Sequence, residues 1–334
     1  IHISNINPLF LILKRKKINY FSSIYSMFSQ YIDNLIENIP ERKTPYEFYL
    51  VIEGGVFNGS YALGILIFLK ALEKKNYLKV NRLSGTSIGA VGAFKFLTNQ
   101  LETSIKNYED FRKQFQTQLN LNILKKIIDD DFAAMSPEVF ERIKNDVLYI
   151  NYFDVEKKEQ ILESRYTSRE HLRDTILKSC HIPFLSDGSC CVQENGRLLL
   201  DGGLPYIFPE RRGQQNKRIL YISISGASKI KTMFNTRNEK TIHGRFLEGV
   251  LDVYNFLSKE KKTAMCSFVD NWSFLDFMIL RFKYGTLTLI IYLIYWLIVV
   301  GRFILPLAEK SELYHKMLPI WRDACRDGFL FFCF

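Results

Sequence analysis

The chain has 334 residues, 47% of them hydrophobic, a length that can bury roughly three-quarters of its unfolded surface without a disulfide or metal staple. Its six cysteines (Cys180, Cys190, Cys191, Cys266, Cys325, Cys333) lack framework spacing, which excludes a disulfide-dense secreted scaffold and reads as a reducing, intracellular setting. The net charge of +10 comes without a nucleic-acid motif, so the expected electrostatic partner is an anionic membrane surface and not nucleic acid.

Residues 1–45 read as an N-terminal extension with a basic run, Lys14-Arg15-Lys16-Lys17, and a weakly amphipathic stretch from Phe21 to Ile39. The chain opens on Ile1, which leaves its native start open, and the apolar Leu9–Leu13 run is too short for a signal segment or a span. From 46 to 228, strands and helices alternate. Strands are predicted at Phe48–Glu53, Val80–Ser84, Val147–Phe153, Glu159–Tyr166, Cys190–Leu200 and Arg218–Ser225, the fifth as a hairpin turning at Asn195-Gly196. Helices are predicted at Ser60–Lys75, Ile88–Gln100, Glu102–Gln116 and Ser168–Lys178. This pattern predicts an α/β fold, a three-layer sandwich with a mostly parallel sheet. Residues 229–334 read as a helical extension.

Three loops carry chemistry. Gly85-Thr86-Ser87-Ile88-Gly89 joins a short apolar strand directly to an apolar helix. This is the pattern of a nucleophile elbow, in which the turn is so tight that glycines flank the serine. The hydroxyl is then held above the sheet at a helix N-terminus, which favours negative charge. Upstream, Glu53-Gly54-Gly55-Val56 follows a buried strand, and such a turn leaves backbone N–H groups converging on one spot. That nest can hold the oxyanion of a tetrahedral intermediate. Downstream, Cys180-His181-Ile182-Pro183-Phe184 precedes the hairpin, whose return strand delivers Asp201-Gly202-Gly203. An aspartate at a strand end followed by two glycines lets another loop approach it closely.

In this order, over about Tyr49 to Ser225, the three loops resemble the patatin-like phospholipase family. The resemblance implies a Ser-Asp dyad, with Ser87 as nucleophile, Asp201 as the base that accepts its proton, and Gly54, Gly55 and Val56 as the oxyanion loop. Two positions depart from the family pattern. Val56 stands where a third glycine is usual, and its branched side chain resists positive φ. Asn58 stands where arginine or lysine is usual. Both lower the expected activity, and they keep open a catalytically weakened lipid-binding member of the fold.

A Ser-Asp-His esterase is the other alternative. Among His2, His171, His181, His243 and His315, only His243 follows the acid at a plausible position; His181, beside the Pro183 turn, reads as structural. No Cys/His metal spacing and no phosphate-binding glycine loop is present in the sequence, so neither metal nor cofactor is expected.

Tyr284 to Gly301 runs eighteen residues without a charge, between Arg281 and Lys283 at one end and Arg302 at the other. As a helix it extends about 27 Å, near the ~30 Å thickness of a bilayer's hydrocarbon. The alternatives are a membrane helix, spanning or in-plane, and a core helix docked on the α/β domain. A last amphipathic helix, Glu312 to Phe332, ends in Phe329-Leu330-Phe331-Phe332, a further candidate lipid contact. The expectation is a membrane-associated acyl hydrolase on the cytosolic side, with membrane lipids as substrate and docking surface.

Overall fold

Side chains of a strand alternate between faces, and in this chain the alternation sets two covers of different kinds on one sheet. The computed structural model describes residues 26–40, 44–209, 217–226, 228–236, 239, 241–308 and 310–333. The basic run at 14–17 and the apolar run at 9–13 lie outside them. Helix α1 (residues 26–37) leads into β1 (Tyr46–Ile52), α2 (Gly59–Lys74), β2 (Leu78–Gly85) and α3 (Ile88–Leu97). After α4 (Ser104–Gln118), α5 (Ile123–Ala134) and α6 (Pro137–Ile143) come β3 (Asn145–Asp154), β4 (Glu159–Arg165) and α7 (Arg169–Ser179). The hairpin β5 (Val192–Glu194) and β6 (Arg197–Asp201) is followed by β7 (Arg218–Ile222), α8 (His243–Lys259), β8 (Cys266–Phe268), α9 (Phe274–Ala308) and α10 (Glu312–Cys333).

The sheet has eight strands in the order β5-β6-β3-β2-β1-β7-β8, with β4 also paired to β3. Its centre, β3-β2-β1-β7, is parallel, and antiparallel strands complete both margins. The expected α/β class with a mostly parallel sheet and a helical C-terminal part is therefore the observed one. Asn195 and Gly196 take φ of 50° and 77°, as the two-residue hairpin turn requires. Helices α5 and α6 and strand β8 were not among the predicted elements. A three-residue strand is too short for alternation to register.

Phe48, Leu50 and Ile52 of β1 face the main core with Leu83, Leu148, Leu220 and Ile222, and α2, α3, α7 and α8 close it. The α/β unit runs past residue 228, because α8 packs along α2 and β8 pairs with β7. Tyr49, Val51, Ile219 and Tyr221 face the other side, under Tyr206, Phe208 and Trp272. Farther along, Leu198 and Leu200 are covered by Ile294, Tyr295 and Ile298 of α9. The layer on that side is thus built from a connecting segment and the C-terminal helix.

Candidate active site

Ser87 and Asp201 meet because one strand carries both neighbours. Gly85 pairs with Ile150 of β3, and Asp201 pairs with Tyr152, two residues farther along the same strand. Ser87 lies two residues beyond Gly85, so the register brings the hydroxyl to the carboxyl. Ser87 has φ 53° and ψ −132°, a backbone region an L-residue enters only under strain. The elbow is closed by contact. A Cβ on Gly85 would stand 2.5 Å from the Gly89 carbonyl oxygen, and one on Gly89 2.5 Å from that of Glu53. The Ser87 N–H donates to Ser179 Oγ at 2.9 Å, which holds the turn from α7.

Asp201 is half-buried, and desolvation pushes its carboxyl up to about 6, against the Ser87 hydroxyl and the Gly203 N–H, which both lower it. Gly203 donates to Asp201 Oδ1 at 2.8 Å, and the Asp201 N–H donates to the His181 carbonyl at 3.1 Å. His181 is thus structural through its backbone, and its buried ring has its pKa lowered by desolvation. Two amides absent from the sequence reading hold the Asp201-Gly202-Gly203 turn. Asn151 Nδ2 donates to the carbonyls of Gly202 and Leu204 at 3.2 and 2.7 Å, and Gln160 Nε2 to the same pair at 2.9 and 2.8 Å. Only the folded register reveals this clamp, since neither residue lies in a motif.

The N–H groups of Gly54, Gly55 and Val56 have no acceptor among the described residues, and neither has that of Ile88. Gly54 lies against the serine: a Cβ there would stand 2.9 Å from Ser87 Cβ. Val56 has φ 46°, the left-handed conformation its branched side chain opposes. Its side chain is buried with Phe57, Phe111, Phe115 and Leu121, and that packing sets against the strain. Asn58 is fully buried. Its amide donates to the carbonyls of Ile224 and Lys229, both at 2.8 Å, while its oxygen accepts from Arg245 at 3.0 Å. A cation therefore stands beside position 58 after all, delivered from α8.

Ile88, next to Ser87, borders a narrow crevice whose exposed lining is almost wholly apolar. Gly59 and Leu63 of α2, Val91 of α3, and Tyr108 and Phe111 of α4 form its walls. On the opposite flank, α9 lies against the loops of the site. Lys283 Nζ contacts Glu53 Oε1 at 2.7 Å, and Leu287 lies so close to Gly203 that a Cβ there would be 2.3 Å from it. Glu53, immediately before the Gly54-Gly55 turn, is 1% exposed and also accepts from Tyr221, Ser223 and Ser225. Burial raises its pKa, but Lys283 and the Ser225 donors outweigh this and hold it below the usual value.

His243 starts α8, its ring 5.4 Å from that of Phe28, and Glu109 is the charge acting on it. Neither Ser87 nor Asp201 is among its partners. No group of three or more His, Cys, Asp or Glu that could hold a metal occurs among the described residues.

No protein-family model matches the chain, and no curated protein does. Among solved structures the chain is similar to the crystal structure of VipD from Legionella pneumophila, at 16% identity and a TM-score of 0.33. That similarity covers 54% of this chain and 51% of that one, about half the length of each.

Proposed function

We propose that the protein is a lipid acyl hydrolase using Ser87 and Asp201 as a dyad. The observation that carries this reading is a strained serine at an elbow beside a half-buried carboxyl whose pKa desolvation raises to about 6. A base is most useful when its pKa lies near the working pH, and this one is ionised at pH 7 yet holds a proton readily. Asp201 takes the Ser87 proton as Oγ attacks the ester carbonyl. The N–H groups of Gly54, Gly55 and Val56 hold the oxyanion, and the proton passes from Asp201 to the leaving alcohol. Water, deprotonated by the same carboxylate, then releases the fatty acid from the acyl-enzyme.

The substrate class is supported by the apolar lining of the narrow crevice beside Ile88, which offers a polar headgroup little. Net positive charge and the exposed apolar α9 support membrane association, with anionic lipid favoured. The test is covalent labelling with a fluorophosphonate, mapped by mass spectrometry, together with hydrolysis of phospholipid vesicles. Ser87 takes the label, and Ser87→Ala and Asp201→Asn each lose at least a hundredfold in turnover. Activity that survives Ser87→Ala in folded protein overturns the assignment. His243→Ala keeps activity, and its loss would instead favour a Ser-Asp-His esterase.

A second reading, a lipid-binding member with little catalysis, is favoured by one observation, the φ of 46° at Val56. Losing one oxyanion donor costs ~3–4 kcal/mol, enough to slow turnover by two to three orders of magnitude. Vesicle binding without labelling or hydrolysis identifies that case.

A further inference from the structure

We infer that α9 is an in-plane membrane anchor: its outer face is embedded in lipid while its inner face stays docked on the loops around Ser87. The argument begins with a stripe. Lys283, Leu287, Ile291, Ile294, Tyr295 and Ile298 recur at three- and four-residue spacing and so share one face of the helix. Lys283 contacts Glu53, Leu287 contacts Gly203, and Ile291 is only 2% exposed. Ile294, Tyr295 and Ile298 pack on the cluster of Val155, Cys191, Leu198 and Leu200, and Lys158 sits over the rings of Tyr292 and Tyr295. From 283 to 298 this contact runs about 22 Å along the axis.

A spanning α9 would drag its docked partners into the hydrocarbon with it. Those partners include a buried carboxylate and its lysine, and beside the stripe Lys157, Glu159 and Arg197 carry half-exposed charged side chains. Charges at that depth cost several kcal/mol each. An in-plane helix meets no such conflict, because the hydrocarbon reaches only its outer side.

That outer side needs a partner of its own. Within Phe274–Ile304, the most apolar eighteen-residue window has a mean hydropathy of 2.2 and is 6% buried. Phe282, Leu289, Trp296 and Phe303, seven residues apart on one line, are 76%, 61%, 62% and 74% exposed. The charge pattern selects lipid over a second copy of the chain. Arg281 and Arg302 flank the apolar line, and the one acidic residue of α9, Asp276, is paired to Lys262. Two such faces together would oppose arginine to arginine in either orientation, whereas anionic headgroups pair with both ends. The loop of Gly203 then lies about one helix diameter, ~10 Å, from the hydrocarbon. This deepens the membrane association proposed above and does not depend on Ser87 being a nucleophile.

The test places a single tryptophan at each outer position of the full chain: Phe282→Trp, Leu289→Trp, native Trp296, and Phe303→Trp. Trp272, Trp321 and, where it is not the probe, Trp296 are replaced by phenylalanine, in a Ser87→Ala background that spares the lipid. Vesicles of phosphatidylcholine and phosphatidylserine carry bromine either near the headgroup or near the acyl terminus. An in-plane helix gives a shallow-to-deep quenching ratio above one at all four sites, agreeing within about twofold. A spanning helix inverts the ratio at 289 and 296 only, and that pattern overturns the inference. Absence of quenching at every site, in protein whose circular dichroism is unchanged, also overturns it and assigns the face to a protein partner or a second copy. Because quenching reads depth and not turnover, its result is separate from the fate of the Ser87 assignment.

Discussion

Glu53 and Lys283, 230 residues apart in the chain, form a 2.7 Å ion pair that ties α9 to the residue preceding the Gly54-Gly55 turn. Glu53 sits at the end of β1, and Tyr221, Ser223 and Ser225 at the end of β7 fill its remaining acceptor sites. The position of Gly54 is therefore coupled to the position of α9. Strand, loop and helix move as one unit or separate at this pair.

Lys283→Ala should destabilise the fold by about 3 kcal/mol, because it leaves a buried carboxylate without its cation. Glu53→Gln alone should cost as much or less, and the double variant much less than the sum. Urea denaturation of the four proteins gives the coupling directly; additive losses would show that the pair does not join the two elements. The sign with pH follows from the depressed pKa of Glu53. Its contribution is present above the unfolded value of 4.5 and is lost as pH falls through the lower folded value.

Asp201 behaves in the opposite sense. Its folded pKa of about 6 lies above the reference 3.8, so its contribution to stability is full below about 4 and is lost as pH rises through 6. Asp201→Asn should therefore stabilise the protein at pH 8 by on the order of 2–3 kcal/mol, while abolishing hydrolysis. At pH 4 the gain should vanish. Denaturant midpoints at the two pH values measure the difference, and wild-type turnover should fall below pH 6 as the base protonates. An asparagine variant no more stable at pH 8 than at pH 4 would contradict the raised pKa.

At position 56 the usual ranking of alanine over glycine should reverse. Val56→Gly removes strain worth about 1–3 kcal/mol, which offsets much of the lost packing, whereas Val56→Ala loses packing and keeps a side chain at positive φ. The glycine variant is expected to be the more stable of the two and to turn over faster than wild type. Thermal melts and initial rates of the two variants suffice; an alanine variant that melts higher would mean that the loop carries no strain there.

Arg245 donates twice to Glu239 at 2.8 Å, and to the carbonyls of Thr232 and Asn235 and to Asn58 Oδ1 at 2.8, 2.9 and 3.0 Å. Arg245→Ala should cost about 3–5 kcal/mol, since it strips a buried acceptor cluster of its donor. Arg245→Lys should recover little, because an ammonium cannot reach acceptors arranged for a planar fork. Full recovery by lysine would reduce the role of this residue to its charge.

What the chain states by itself is local. The elbow at Ser87, the glycine turn at 54–55 and the Asn195-Gly196 hairpin each depend on residues within a few positions of one another, where steric rules act directly. The strands and helices around them also announce themselves by short periods. Tertiary structure decided the rest. That Asp201 reaches Ser87 depends on β3 pairing Gly85 through Ile150 and Asp201 through Tyr152, a register no short window contains. The clamp of Asn151 and Gln160, the cation that Arg245 brings to Asn58, and the Glu53–Lys283 pair join residues 42 to 230 positions apart. Composition marks Tyr284–Gly301 as apolar without saying what each side of it meets. Only the docked stripe separates an inner face from an outer one, because hydropathy counts residues and packing decides which way they point.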